Sequence, residues 1–251
     1  MDLRLAGKRA VITGGSRGIG RAIALGLAEE GVDVAICARS EGPLRETEAE
    51  LRQRGGKVYA ATCDVGDGAA LGAFLERARQ ELGGVDILVN NVSALGVGDD
   101  AAAWQANINL DLLASVRATQ QVVPWMAETG GGCIIFMSSI SGIEPSSTPA
   151  YAAMKAALIS YSKSLAIALA AKRIRVNAVA PGSIEFPGGV WDRIRRTDPQ
   201  RYQDTVARIP WGRMGRPEEV ADVVVFLSSE RASWVTGACI VVDGAQHRSN
   251  L

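Results

Sequence analysis

The stretch that decides the fold is Arg9-Ala10-Val11-Ile12-Thr13-Gly14-Gly15-Ser16-Arg17-Gly18-Ile19-Gly20. Its first five residues form a short, mostly apolar run that predicts a buried β-strand. A glycine-rich turn follows, and residues 21–30 then have the periodicity of a helix that ends at Gly31. This order places unpaired helix N–H groups where a pyrophosphate can bind, and glycine lets the backbone approach it closely. The stretch therefore predicts a dinucleotide-binding unit.

The rest of the chain repeats this alternation of strand and helix. Further strands are predicted at 32–38, 57–63, 85–89, 133–137, 173–179 and 238–243, with helices at 44–54, 69–82, 104–128, 149–171 and 218–227 between them. Such alternation predicts parallel pairing through right-handed crossovers. We therefore expect an α/β fold: a Rossmann-type, doubly wound, seven-stranded parallel sheet with helices on both faces.

The division into domains follows from the absence of a linker or repeat in the sequence. Residues 1–251 are expected to form a single NAD(P)-binding Rossmann domain. Residues 183–215 are the least regular part and are rich in proline and glycine. We expect short helices there and a lid over the substrate.

Composition argues against several functional classes. Lys+Arg and Asp+Glu number 27 each, so no basic surface is indicated for nucleic acid or an anionic membrane. No signal-peptide hydrophobic region and no uncharged apolar run of about 18 residues is present, so no membrane span is expected. The four cysteines are widely spaced, there is no CxxC pair, and His247 is the only histidine. We expect a cytoplasmic protein with buried thiols and no metal site.

Polar or turn-forming residues follow most of the predicted strands. Beyond the glycine turn they are Arg39, Asp64, Asn90, Ser139 and the pair Pro181-Gly182. Open doubly wound sheets bind ligands outside the carboxyl ends of their strands. Asp64, Asn90 and Ser139 could each simply form a turn. Their shared edge favours adenine and backbone contacts for Asp64 and Asn90, and a hydrogen bond from Ser139 to a substrate carbonyl oxygen.

Two arginines indicate which dinucleotide binds. A site for NAD needs a carboxylate after the second strand for the ribose 2′-hydroxyl, but this chain has Ala38 followed by Arg39. Arg39 and Arg17, which lies in the glycine turn, suit a 2′-phosphate. We therefore expect NADP(H), the alternative being that either arginine is only solvated surface.

Tyr151 and Lys155 are the candidates for proton transfer. They are four residues apart on a predicted helix, so they lie on the same face. An ammonium beside a phenol favours the phenolate, which suits the tyrosine to donate and accept a proton. Tyr-x-x-x-Lys also occurs on helices by chance. The assignment to catalysis therefore depends on the helix beginning next to the strand end that carries Ser139.

Together, these motifs resemble the short-chain dehydrogenase/reductase family, and within it the 3-oxoacyl-[acyl-carrier-protein] reductase-like branch. They span most of the chain and occur in the family's order. The matching residues are Thr13-Gly14-x-x-x-Gly18-x-Gly20, Asp64-Val65, Asn90-Asn91, Asn109, Ser139, Tyr151-x-x-x-Lys155, Pro181-Gly182 and Gly212-Arg213-Met214-Gly215-Arg216-Pro217-Glu218-Glu219.

The resemblance implies an NADP(H)-dependent oxidoreductase that interconverts a ketone and a secondary alcohol by hydride transfer. It implies that Tyr151 is the general acid and base, that Lys155 supports it and holds the nicotinamide ribose, and that Ser139 orients the carbonyl. It also implies that Asn109 anchors a water relay to Lys155. The implied cofactor-binding residues are Gly14, Ser16, Arg17, Gly18, Ile19, Gly20, Arg39, Asp64, Val65, Asn90, Tyr151, Lys155, Pro181, Gly182 and Ile184.

The resemblance further implies the partners of the chain. A small carbonyl or alcohol substrate is expected, together with a homotetramer or homodimer formed through the helices of Trp104 and Tyr151 and the last strand. Three departures from the family pattern bear on the substrate and its pocket: Val92-Ser93 after the asparagine pair, Phe186 where a threonine is common, and Glu128-Thr129-Gly130 where a basic residue for carrier-protein docking is often found.

Two alternative functions stay open. One is a true 3-oxoacyl-[acyl-carrier-protein] reductase of fatty acid synthesis, for which only Lys172 remains as a docking contact. The other is a dinucleotide-binding regulator without redox turnover, against which the intact Ser139, Tyr151 and Lys155 argue.

Overall fold

Strands and helices alternate along the described chain, which comprises residues 2–96 and 98–250 of a computed structural model. The strands are β1 (Arg9–Thr13), β2 (Asp33–Ala38), β3 (Val58–Thr62), β4 (Ile87–Asn90), β5 (Gly132–Met137), β6 (Ile174–Pro181) and β7 (Cys239–Val242). The α-helices are α1 (Gly18–Glu29), α2 (Glu41–Arg52), α3 (Gly68–Leu82), α4 (Ala101–Asn107), α5 (Ala114–Glu128), α6 (Pro149–Leu169), α7 (Val190–Thr197), α8 (Pro199–Arg208) and α9 (Pro217–Ser228).

The strand order across the sheet is β3-β2-β1-β4-β5-β6-β7, and each neighbouring pair is parallel. From β1 the chain moves outward to β3, then returns to β4 beside β1 and moves outward the other way to β7. The order therefore reverses between β1 and β4, and a crevice forms there at the carboxyl ends of the strands. This confirms the predicted doubly wound parallel sheet.

Both faces of the sheet are covered by helices. Ala10 and Ile12 of β1 belong to one buried cluster with residues of α1 and α9, while Val11 belongs to another with residues of α3, α5 and α6. Successive strand residues point to opposite faces, so a strand covered on both sides needs apolar residues at every position. That is why the run at 133–137 is uniformly apolar.

The helical region between β4 and β5 differs from the prediction. A loop was expected before Trp104, but α4 begins at Ala101 because the Asp100 carboxylate accepts the N–H of Ala103 and caps the helix. A π-helical segment, Ile108–Leu113, then separates α4 from α5. Its i→i+5 hydrogen bonding changes which side chains face the sheet, and such segments are common at functional sites.

The helix of Tyr151 is long and apolar. By length and composition alone, the segment Pro149–Lys172 could cross a membrane. Here α6 packs against β5 and β6, with the Lys155 side chain buried beneath it. Its other face is open, and Ile167 is 74% exposed. One face of α6 therefore covers the sheet, and the other is apolar and has no partner among the described residues.

The glycine turn packs closely against the end of β4. The N–H groups of Gly14 and Gly15 both donate to the carbonyl oxygen of Cys37, and the side-chain amide of Asn91 donates to the carbonyl oxygens of Thr13 and Gly14. A Cβ at Gly20 would lie inside van der Waals contact with the Gly14 carbonyl and the Asn91 amide. Glycine at position 20 therefore allows α1, β1 and β4 to meet.

Replacement of Gly20 by alanine tests this close approach. Gly20→Ala should destabilise the protein by about 1–3 kcal/mol, since extra atoms in a packed site force the backbone to move. The matched control is Gly72→Ala in α3, where a Cβ would lie an ordinary 3.4 Å from the Gln121 side chain. That variant should gain about 0.5–1 kcal/mol from the better helix propensity of alanine. Urea denaturation measures both, and equal changes would contradict the proposed packing.

Candidate active site

The end of β5 is fixed to α6 by three contacts around one residue. The Ser138 hydroxyl donates to the Lys155 carbonyl oxygen over 2.8 Å, and the Lys155 ammonium donates to the Met137 carbonyl oxygen over 2.9 Å. Gly142, in the turn after β5, lies so near that an added Cβ would be 2.6 Å from the Lys155 carbonyl carbon. These contacts bring the turn that begins at Ser139 against the first two turns of α6.

Tyr151, Lys155 and Ser139 have the properties that proton transfer requires. Lys155 is buried, and its Nζ lies 5.4 Å from the centre of the half-buried Tyr151 ring. The Tyr151 hydroxyl makes no hydrogen bond to another described residue. The Ser139 Oγ accepts the Ser141 N–H, so its own O–H remains available to donate. Two hydroxyl donors are thus available at the strand end for a substrate oxygen.

The group that contacts Lys155 from the π-helical segment is Asp111. Its Oδ1 lies 3.0 Å from the Lys155 Nζ, and its Oδ2 accepts the N–H of Ala94 over 3.0 Å. Asp111 is fully buried. The sequence does contain a signal for it, because Asp111 is a single carboxylate among the apolar residues 110–114 of a helix. A carboxylate in such surroundings needs a buried partner.

Asn109 was expected to anchor a water relay to Lys155, but the structure directs its side chain to other partners. Its side-chain amide donates to the Gly66 carbonyl oxygen, and its carbonyl oxygen accepts from Arg117. It lines a cavity of about 430 Å³ together with Asp64 and Gly66, at the end of β3. The expectation is corrected by the π-helical segment, which directs Asp111 rather than Asn109 towards Lys155.

The two asparagines at the end of β4 make different side-chain contacts. Asn90 is 2% exposed, and its amide donates to the Thr119 hydroxyl of α5, so its side chain fastens α5 to the sheet instead of facing the crevice. Asn91 is the residue that reaches the glycine turn. The side chain that supports the glycine turn is therefore that of Asn91, the residue directly after β4.

The N-terminus of α1 has the features of an anion site. The Arg17 side chain at the N-cap makes no capping hydrogen bond, and the first turn of α1 contains no acidic residue, so no side chain competes with an anion for the N–H groups there. Arg17 and Arg39 are exposed at this edge, and neither guanidinium is paired with another described residue. A dinucleotide pyrophosphate with a further phosphate nearby fits this set of donors.

The remaining expected cofactor residues lie around the same crevice. Asp64 accepts the N–H of Gly66 through its Oδ1, and Val65 beside it is buried. On the other side of the crevice, the Gly182 N–H donates to the Val242 carbonyl oxygen, which holds the Pro181-Gly182 pair beside β7. Ile184 is buried and pairs with Gly215 as an isolated bridge.

Phe186, two residues after Ile184, places its ring against the start of α1. A Cβ at Gly18 would be 2.5 Å from its ring, so the ring covers the start of α1. Gly18 also has a φ of +53°, in the region that favours glycine. The phenyl ring therefore forms an apolar wall over the anion site, where a threonine would have presented a hydroxyl.

A crevice with an anion site at one end and paired hydroxyl donors at the other defines a nicotinamide dinucleotide-dependent oxidoreductase, in which the bound dinucleotide supplies the hydride. The family model described as enoyl-(acyl carrier protein) reductase matches residues 14–247. The chain belongs to the short-chain dehydrogenase/reductase family.

Three relatives show the range of the family around this chain. The 3-oxoacyl-[acyl-carrier-protein] reductase of Thermotoga maritima is 40% identical over 96% of this chain and 98% of its own. L-Sorbose reductase from Gluconobacter frateurii, solved with NADPH and L-sorbose, is 35% identical with a TM-score of 0.92 over 99% of this chain and 100% of its own. A 7α-hydroxysteroid dehydrogenase, solved with NADH and 7-oxo glycochenodeoxycholic acid, is 33% identical with a TM-score of 0.91 over 97% and 96%. The chemistry of this chain is therefore the interconversion of a ketone and a secondary alcohol.

Removal of one hydroxyl tests the role of Tyr151. Tyr151→Phe should lower kcat at least about a hundredfold, since the donor of the substrate proton is lost, while cofactor binding remains. The matched control is Tyr161→Phe on the same helix. Tyr161 packs against Phe136, and burial raises the pKa of its phenol, so it is a core residue. Steady-state kinetics with fluorescence titration of the cofactor measures both, and equal activity of the two variants would contradict the assignment.

Proposed function

We propose that the protein is an NADP(H)-dependent oxidoreductase acting on a small ketone or secondary alcohol, with Tyr151 as general acid and base. The observation that carries the proposal is the arrangement at the end of β5. A half-buried tyrosine hydroxyl without a protein partner lies one helical turn from a buried lysine, and a strand-end serine adds a free O–H.

In the direction of reduction, the O–H groups of Ser139 and Tyr151 donate to the carbonyl oxygen and fix its position. A reduced dinucleotide held in the crevice would supply the hydride that the carbonyl carbon accepts. Tyr151 then gives its proton to the oxygen, and the nearby Lys155 favours the negative charge left on the phenol oxygen. In the direction of oxidation, the Tyr151 phenolate takes the proton of the alcohol, and the oxidised dinucleotide would accept the hydride from the alcohol carbon.

The preference for NADP(H) is supported by the charges at the adenine end. Arg17 and Arg39 are both exposed there and unpaired with other described residues, and the residue directly after β2 is Arg39 instead of a carboxylate that would accept a ribose hydroxyl. Two guanidinium groups hold a 2′-phosphate by charge-assisted hydrogen bonds. The relative solved with NADPH supports this choice, while the one solved with NADH shows that the family uses both cofactors.

A charge reversal tests the cofactor assignment. Arg39→Asp should lower the ratio of kcat/KM for NADPH to that for NADH at least about tenfold, because a carboxylate repels the phosphate and accepts the ribose hydroxyl. The control is Arg77→Asp on α3, where the native side chain is exposed and paired with Glu81. If the ratio for Arg39→Asp equals that of the control, Arg39 does not recognise the cofactor.

A second candidate function is 3-oxoacyl-[acyl-carrier-protein] reductase, which the 40% identical relative favours. The surface where a carrier protein would dock carries Glu128 at the end of α5, with Lys172 and Arg173 exposed after α6. A carboxylate among these cations weakens attraction to an acidic partner. We therefore favour a small free substrate over a carrier-bound one.

Substrate turnover distinguishes the two functions. We expect simple ketones or sugars to be reduced with NADPH at a kcat/KM at least about tenfold above that of acetoacetyl thioesters. A thioester preference would establish the second function instead. Absence of turnover with every ketone, alcohol and thioester, despite cofactor binding, would favour a dinucleotide-binding regulator.

We also propose that the protein acts in the cytoplasm as a homotetramer or homodimer. The open face of α6 supports the assembly, as does Trp234, which is 97% exposed just before β7. Large apolar side chains on adjoining surface elements are typical of subunit contacts.

A further inference from the structure

The ion pair between Asp111 and Lys155 is the most deeply buried charge pair of the described residues. The two side chains are 0% and 3% exposed, and 3.0 Å separates Oδ1 from Nζ. The Oδ1 has no directed hydrogen bond, so its contact with the ammonium is chiefly electrostatic. The proposed reaction uses Lys155 as a positive charge beside Tyr151. An adjacent carboxylate opposes that use.

Apart from each other, the two charged groups contact only main-chain groups and one aromatic ring of the described residues. Lys155 is held by the Met137 carbonyl oxygen of β5 and faces the Tyr151 ring on its own helix. Asp111 accepts the Ala94 N–H from the loop after β4. Among the described residues, no further charged side chain is bonded to either partner. Of the charged side chains that the structure describes, Asp111 is therefore the one that offsets the Lys155 ammonium.

We propose that Asp111 is a positioning residue that offsets the positive charge of Lys155 and so sets the pH dependence of proton transfer at Tyr151. The inference rests on the proposed function, because it concerns the proton that Tyr151 transfers. Its basis is Coulombic: a buried carboxylate beside the ammonium weakens the field that favours the phenolate.

A second contact of Asp111 allows the effect of its charge to be tested separately from the effect of its hydrogen bond to the loop. The Oδ2 holds the loop after β4 through Ala94, and that loop borders the crevice. Asparagine at position 111 can still accept this N–H through its amide oxygen, whereas alanine cannot. The two replacements therefore distinguish loss of charge from loss of the loop contact.

The experiment compares pH profiles of kcat for wild type, Asp111→Asn and Asp111→Ala in both directions, with NADP(H) and the best substrate pair. In Asp111→Asn the rise of alcohol oxidation with pH should move to lower pH by about one unit, and ketone reduction should fall off about one unit earlier. The KM for the cofactor should stay near the wild-type value. Asp111→Ala should show the same shift with a raised KM. Superimposable profiles for wild type and Asp111→Asn would overturn the proposal.

A second readout does not depend on turnover. Near-ultraviolet absorbance of ionised tyrosine, taken as the difference between each protein and its Tyr151→Phe counterpart, gives the pH midpoint of Tyr151 ionisation with cofactor bound. Asp111→Asn should lower this midpoint by about one unit, and Asp111→Glu, which keeps the charge, should restore it. If Asp111→Asn does not fold, Asp111→Ser makes the same comparison.

The outcomes separate this proposal from the proposed function. A wild type that turns over no ketone or alcohol overturns the function, and the inference with it. An active wild type whose Tyr151 midpoint is unmoved by loss of the carboxylate overturns the inference alone.

Discussion

The buried ammonium of Lys155 is the group on which the active-site end of the molecule depends. A buried charge costs several kcal/mol unless it is paired and hydrogen-bonded. Its two partners come from different elements, the Met137 carbonyl oxygen at the end of β5 and the Asp111 carboxylate in the π-helical segment. β5, α6 and the helix before β5 must therefore meet at one point, and Tyr151 and Ser139 are carried into place by that meeting.

The cofactor crevice depends on a second constraint, the reversal of strand order between β1 and β4. The reversal separates the loops after these strands, and the side-chain amide of Asn91 links them by donating to the carbonyl oxygens of Thr13 and Gly14. Hydrogen-bond donors at the start of α1 are left free, and Arg17 and Arg39 add positive charge. One end of the crevice is thus suited to binding phosphates, and the other to the transfer of a proton and a hydride. The reaction requires both.

Much of the fold and site was predictable from local pattern, because each prediction concerned residues near one another in sequence. The strands are apolar runs, and the i,i+4 spacing of Tyr151 and Lys155 needs only a helix to bring the two side chains to one face. The errors share a cause. Asn109 and Asp111 are two residues apart, and helical periodicity does not show where an i→i+5 turn intervenes. Likewise, Asn90 and Asn91 point to opposite sides of a strand end, and only packing against α5 decides which of them faces the crevice.

The sequence by itself determined the α/β class, the parallel sheet, the glycine turn and the type of reaction, because these follow from periodicity and from residue types at short spacings. The tertiary structure decided what surrounds the reacting group. It put a carboxylate against Lys155 and a phenyl ring over Gly18, two contacts between residues far apart in the chain. Such contacts depend on how separate elements pack, and packing sets the charge and shape of the pocket in which the reaction takes place.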